Sequence, residues 1–131
     1  MKWTRTAMRW AAAAGALSLC GCALFLIGAG AAAGAGTVAY LSGELRATEE
    51  VGLDRGYQAA VSAMRDLQFH VTKSQKDALD GEIVARRADD TRIIVRLKKQ
   101  TDQITEFRIR VGVFGDEALS RLIFEKIKKR F

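Results

Sequence analysis

Between positions 11 and 43 the chain carries no charged residue, while charges are frequent on both sides of that run. A soluble domain cannot expose such a stretch, and it exceeds the roughly 20 apolar residues that cross a bilayer. A globular fold therefore has to be built from residues 44–131. A chain of 131 residues has room for one domain. A domain of the remaining size buries roughly 60–65% of its unfolded surface, enough for one modest core without disulfides or metal.

The uncharged run has internal order. It follows "MKWTRTAMRW", basic and without an acid, and opens with "AAAAGALSL". It also holds both cysteines, Cys20 and Cys22, two positions apart. A basic stretch, a short apolar stretch and a small residue before the cut make a secretory signal. The tetrapeptide "LCGC" at 19–22 resembles the bacterial lipobox, with an aliphatic residue three before the acceptor cysteine and Gly21 directly before it. Cys20 fits poorly as acceptor, because Leu19 precedes it. The resemblance implies a signal peptide at 1–21, a mature chain that starts at lipidated Cys22, an apolar Gly/Ala-rich membrane-proximal segment to 43, and a domain at 44–131. Acyl chains hold at about 0.8 kcal/mol per buried methylene, so two or three anchor stably. Cys20 leaves with the peptide, and no thiol remains for redox or metal chemistry. Ala23 stands where many Gram-negative inner-membrane lipoproteins carry Asp, which favours the outer membrane.

The alternative is an uncleaved span. Lys2, Arg5 and Arg9 would keep its N-terminal flank cytoplasmic, and the domain would face the same periplasmic side. With those three residues removed, 18 of the 21 basic residues remain against 15 acidic ones, and the net charge falls from +6 to +3. Gly30 and Gly34 form a G-x-x-x-G that would let two apolar helices approach in lipid; the competing reading is a Gly/Ala linker at the membrane surface. "GAGAAA" matches a loose dinucleotide fingerprint, but it follows a signal sequence rather than a strand.

Within the domain, Tyr57, Ala60, Val61, Met64 and Leu67 make one apolar helical stripe, with Asp54 as the expected N-cap. The period then shortens to two. "FHVTKS", "EIVARR", "RIIVRLKK" and "ITEFRIRVGV" read as strands joined by short turns, hence an antiparallel meander. Ile83, Ala85, Ile93, Val95, Leu97, Phe107, Ile109, Val111 and Val113 fall on one face. Arg86, Arg92, Arg96, Lys98, Arg108 and Arg110 fall on the other, with Glu82, Glu106, Val84 and Ile94. A last helix follows an Asp116 N-cap and turns Leu119, Leu122, Ile123 and Ile127 inward. The expected fold is α+β, a two-layer αββββα sandwich with both helices on one face of a four-stranded sheet.

This order, together with "RIRVGVFGDEALSRLIFEKI" at 108–127, resembles an uncharacterised family of small bacterial lipoproteins, a domain of unknown function. The "VGVFGDEALS" segment is its most specific piece. The resemblance implies fold and envelope location, and brings no catalytic residues.

Chemistry-bearing groups are few. His70 is the single histidine and is expected on an exposed strand near an edge. No nucleophile–base set and no metal-ligand cluster can be assembled, so no enzyme activity, cofactor or metal is expected. Asp89 and Asp90 fall in a hairpin turn, where Asp serves the backbone. Two roles remain. One is a lipid-anchored envelope protein that contacts another envelope protein or a second copy of itself. The other is capture of an anionic ligand by Arg92, Arg96, Lys98, Arg108 and Arg110, against a plain solvated face. Nucleic acid is disfavoured, since that face lacks stacking aromatics.

Overall fold

Residues 37–49 read "TVAYLSGELRATE", two runs of strand-forming residues that meet at Ser42 and Gly43. Both of those residues have positive φ, 53° and 80°. That is the backbone of a two-residue primed hairpin turn, whose twist matches the flanking strands. The computed structural model, which describes residues 36–131, accordingly begins with a hairpin of β1 (Thr37–Leu41) and β2 (Glu44–Glu49). Helix α1 (Leu53–Asp66) follows, then β3 (His70–Lys76), β4 (Asp80–Arg86), β5 (Arg92–Thr101), β6 (Ile104–Val111) and helix α2 (Glu117–Lys128).

Among the described residues the fold is α+β with two helices and an antiparallel sheet, but the sheet has six strands, in the order β1-β2-β6-β5-β4-β3. The four-stranded expectation is corrected at its N-terminal side. The boundary drawn at residue 43 cuts through the hairpin turn, so β1 was assigned to the membrane-proximal segment and β2 to no strand. The missed signal is Ser-Gly between two alternating runs. The consequence is topological: β2 pairs with β6, Leu45 opposite Ile109 and Ala47 opposite Phe107. The C-terminal strand is thereby moved from an edge to the interior.

Both helices pack on one face. Alternation assigned that face correctly, since Ile83, Ala85, Ile93, Val95, Leu97, Phe107, Ile109 and Val111 are all buried. Phe107 sits at its centre, edge-on to Phe124 with centroids 5.9 Å apart and 5.7 Å from the ring of Phe131. Gly56 of α1 lies over it; a Cβ there would stand 2.9 Å from Phe107 Cζ. Buried Thr105 donates its hydroxyl to the Val51 carbonyl at 2.8 Å, which ties β6 to the chain entering α1.

Three details differ from expectation. Gly52, not Asp54, is the N-cap of α1, with no side-chain cap bond; Asp54 sits in the first turn, where its carboxylate pairs with Lys76. Val113 is 79% exposed, because β6 ends at Val111 and Gly112, with φ +68°, turns the chain off the sheet. In α2, Leu122 is exposed and Phe124 is buried. The inward stripe is Ser120, Ile123, Phe124 and Ile127, spaced i, i+3, i+4, i+7. The Asp116 cap is as expected, accepting from the Leu119 N–H at 3.0 Å.

The loop between β6 and α2 explains why "VGVFGDEALS" is so particular a string. A Cβ on Gly115 would lie 2.4 Å from the Gly43 carbonyl oxygen, so this loop rests on the β1–β2 turn through two glycine backbones. Gly115 has φ +84° as well, a conformation that costs a side chain strain. Among the described residues, no helix is long and apolar enough to cross a membrane. Cys22, Gly30 and Gly34 lie outside the described residues.

Candidate functional site on the open sheet face

Side chains on the face away from the helices form rows across neighbouring strands, because directly opposed residues in an antiparallel pair project to the same side. One row runs Arg46, Arg108, Arg96, Glu82 and Gln75 over β2, β6, β5, β4 and β3. Three arginines in direct opposition would repel. Each is met by a carboxylate: Arg46 Nε reaches Glu44 at 3.0 Å, Arg108 Nε reaches Glu106 at 2.7 Å, and Arg96 Nε reaches Glu82 at 3.0 Å. Glu82 also receives Lys73 Nζ at 2.9 Å.

These contacts set the titration behaviour. Hydrogen bonds from Lys73 and then Arg96 hold the Glu82 carboxyl below its usual range, against a smaller cost of burial. The carboxylate of Glu106 pushes the Arg108 guanidinium further up. The face is a ladder of alternating charge rather than a uniformly basic surface. Arg92, Lys98 and Arg110 form no ion pair among the described residues, which leaves them as the cations of this face without a carboxylate partner.

A depression of about 580 Å³ opens on this face, lined by Gln75, Asp80, Glu82, Arg96, Lys98 and Arg108 among others. Of the five cations assigned to an anionic ligand, the structure brings Arg96, Lys98 and Arg108 together there. Arg92 lies at the far end of β5 opposite Arg86. Arg110 stands opposite Glu44 and Ile94, and it donates to the Val113 carbonyl at 2.8 Å. The depression is mixed in charge, with Asp80 and Glu82 beside the three cations, so it suits a ligand that offers hydrogen-bond donors as well as negative charge.

Sequence reasoning missed Glu44 and Arg46, which β2 contributes beside β6. Their signal was present in "ELRATE", where Leu45 and Ala47 alternate inward and Glu44, Arg46 and Thr48 outward. His70 is exposed at the start of edge strand β3, opposite Arg86. Asp89 accepts from the Thr91 N–H at 3.1 Å, and Asp90 has φ +68° and pairs with Arg86 at 3.0 Å. Both therefore shape the β4–β5 turn. No group of histidine, cysteine or acidic residues suited to a metal is found among the described residues.

No curated protein matches the chain. The family resemblance read from the β6–α2 segment does find its counterpart, although lipidation is no part of the family's description. A family model described as "Protein of unknown function (DUF3568)" matches residues 6–130, nearly the whole chain, and the protein belongs to that family.

Proposed function

We propose that the protein is a non-enzymatic, lipid-anchored component of the bacterial cell envelope, acylated at Cys22, with its α+β domain held in the periplasm to contact another envelope component. The observation that carries this reading is "LCGC" at 19–22, placed after a basic stretch and a short apolar one. An anchor of two or three acyl chains holds without a protein span. The domain offers a partner a face of ordered, mutually paired charges, which favours orientation and selectivity over raw affinity. A role in structure or assembly fits this inventory better than catalysis, because the one histidine lies on an exposed edge and both cysteines belong to the leader and the anchor.

The intact mass of protein extracted from its native membrane tests the reading, beside a Cys22→Ser variant. The expected result is residues 22–131 plus acyl chains for the wild type and an uncleaved chain for the variant. A mass of residues 1–131 without lipid would replace the anchor with a single span carrying the same domain.

The convergence of Arg96, Lys98 and Arg108 on the depression supports a second reading, an anionic-ligand module that also draws on Arg92 and Arg110. Binding to anionic vesicles or polyphosphate should then weaken steeply between about 50 and 500 mM salt, across which the Debye length falls from roughly 14 to 4 Å. Binding insensitive to salt would sink that reading.

A further inference from the structure

Among the described residues the sheet has two edges, and they are defended differently. Edge strand β3 carries Lys73 and Lys76, and its pairing with β4 shifts register between Val71 and Lys73. Lysines and bulges are the means by which edges are kept from recruiting further strands. Edge strand β1 has neither. It reads "TVAYL", uncharged, and pairs with β2 in unbroken register from Thr37 opposite Thr48 to Leu41 opposite Glu44. Val38 and Leu41 are exposed, at 38% and 56%.

We propose that β1 is the contact between two copies of this chain, each β1 pairing antiparallel with the other about a two-fold axis at Ala39. Next to a two-residue hairpin turn, Leu41 and Glu44 exchange hydrogen bonds, and the pattern repeats at every second residue. Ala39 therefore bonds inward to β2, while Val38 and Tyr40 turn their N–H and C=O groups to the open edge. A two-fold at Ala39 sets Val38 opposite the second copy's Tyr40, twice, and closes four backbone hydrogen bonds. The Val38 and Tyr40 side chains meet on the helix side, and no charge faces a like charge.

The alternative head-to-tail pairing would bring β1 against the bulged, lysine-bearing β3, and repeated it would run on without closing. Isologous pairing closes. Five residues a side fall short of the roughly 800 Å² per partner of a stable interface, so pairing needs the copies concentrated. Anchors in one membrane do this, and this part rests on the lipid-anchor reading. The chain between Cys22 and Thr37 reaches roughly 50 Å when extended. The two Thr37 residues would stand only about 15 Å apart, so both copies can be tethered to one membrane.

At the axis, Ala39 faces its counterpart in a non-hydrogen-bonded pair about 4.5 Å apart at Cα, a distance a disulfide spans. Full-length Ala39→Cys, oxidised mildly in native membranes, should give more than half the chain as a cross-linked dimer. Lys73→Cys on the other edge should give less than a tenth of that. Adding Val38→Pro to Ala39→Cys removes an edge N–H where proline is tolerated, and should cut cross-linking at least tenfold with unchanged circular dichroism. Should that variant fail to fold, Ala39→Lys should lower dimer content at least tenfold, read by energy transfer between labelled copies in native membranes, and co-expressed Ala39→Glu should restore it. Equal cross-linking at both edges, a covalent product with a different protein, or Ala39→Cys that stays monomeric overturns the pairing. The same samples report their mass. A lipidated monomer sinks the pairing alone, whereas an unlipidated Ala39→Cys dimer, or wild-type cross-linking through Cys20 or Cys22, sinks the anchor and leaves the pairing to be judged by Lys73→Cys.

Discussion

The two faces of this sheet come from the same strands, one residue out of step, and they are held by different physics. Toward the helices, Leu97, Phe107 and Ile109 are buried to 1% or less, and non-directional burial of apolar area supplies the stability. Toward solvent, Arg46, Arg108 and Arg96 stand side by side, each steadied by a carboxylate. Exposed ion pairs contribute little, typically 0–1 kcal/mol. The helix face therefore makes the fold, and the open face is free to be shaped for contact.

Substitutions can break this contrast in order of expected size. Phe107→Ala empties the centre of the helix face and should cost about 3–5 kcal/mol in urea unfolding; a loss below about 1 kcal/mol would mean that the core is not organised around that ring. Gly81→Ala comes next. A Cβ there would lie 2.8 Å from the Tyr57 ring, which must shift from its 2.9 Å hydrogen bond with Ser74, for about 1–3 kcal/mol. Asp116→Ala removes the cap of the helix that covers Phe107 and should cost about 1 kcal/mol, with Asp116→Asn restoring most of it.

The smallest effect belongs to the open face, and pH sharpens it. Glu82→Gln should cost at most about 0.5 kcal/mol at neutral pH, once solvent screening is allowed for. The folded-state pKa of Glu82 is depressed below its ordinary 4.5 by Lys73 and Arg96. Its contribution is thus fully present above 4.5 and disappears as pH falls through the depressed value. Wild type and variant should converge in acid and in 1 M salt. A difference above about 2 kcal/mol, or one that grows in acid, would place the charge ladder among the determinants of the fold.

Much of this was legible in the chain. Period-two alternation placed Ile83, Ala85, Ile93, Val95, Leu97, Phe107, Ile109 and Val111 correctly, because strand geometry is local and each strand displays both of its faces; buried Thr105, in the same register on β6, was left out because its side chain is polar. The Asp116 cap was legible for the same reason. Leu122 and Phe124 were exchanged because α2 offers apolar residues on more than one side, and the packing against Phe107 decides which side turns inward. Val113 continued an alternating pattern past the point where Gly112 ends the strand.

The sequence by itself determined that residues 44–131 hold an α+β core, with helices on one side of antiparallel strands and cations on the other. Only the tertiary structure decided that residues 37–49 join the sheet, that β6 lies between β2 and β5, and that Arg46, Arg108 and Arg96 form one row. Pairing between strands about sixty residues apart leaves no trace in local periodicity. It is settled by which edge can bury Leu45 and Ala47 beside Phe107 and Ile109, and that edge exists only once the rest of the sheet has assembled.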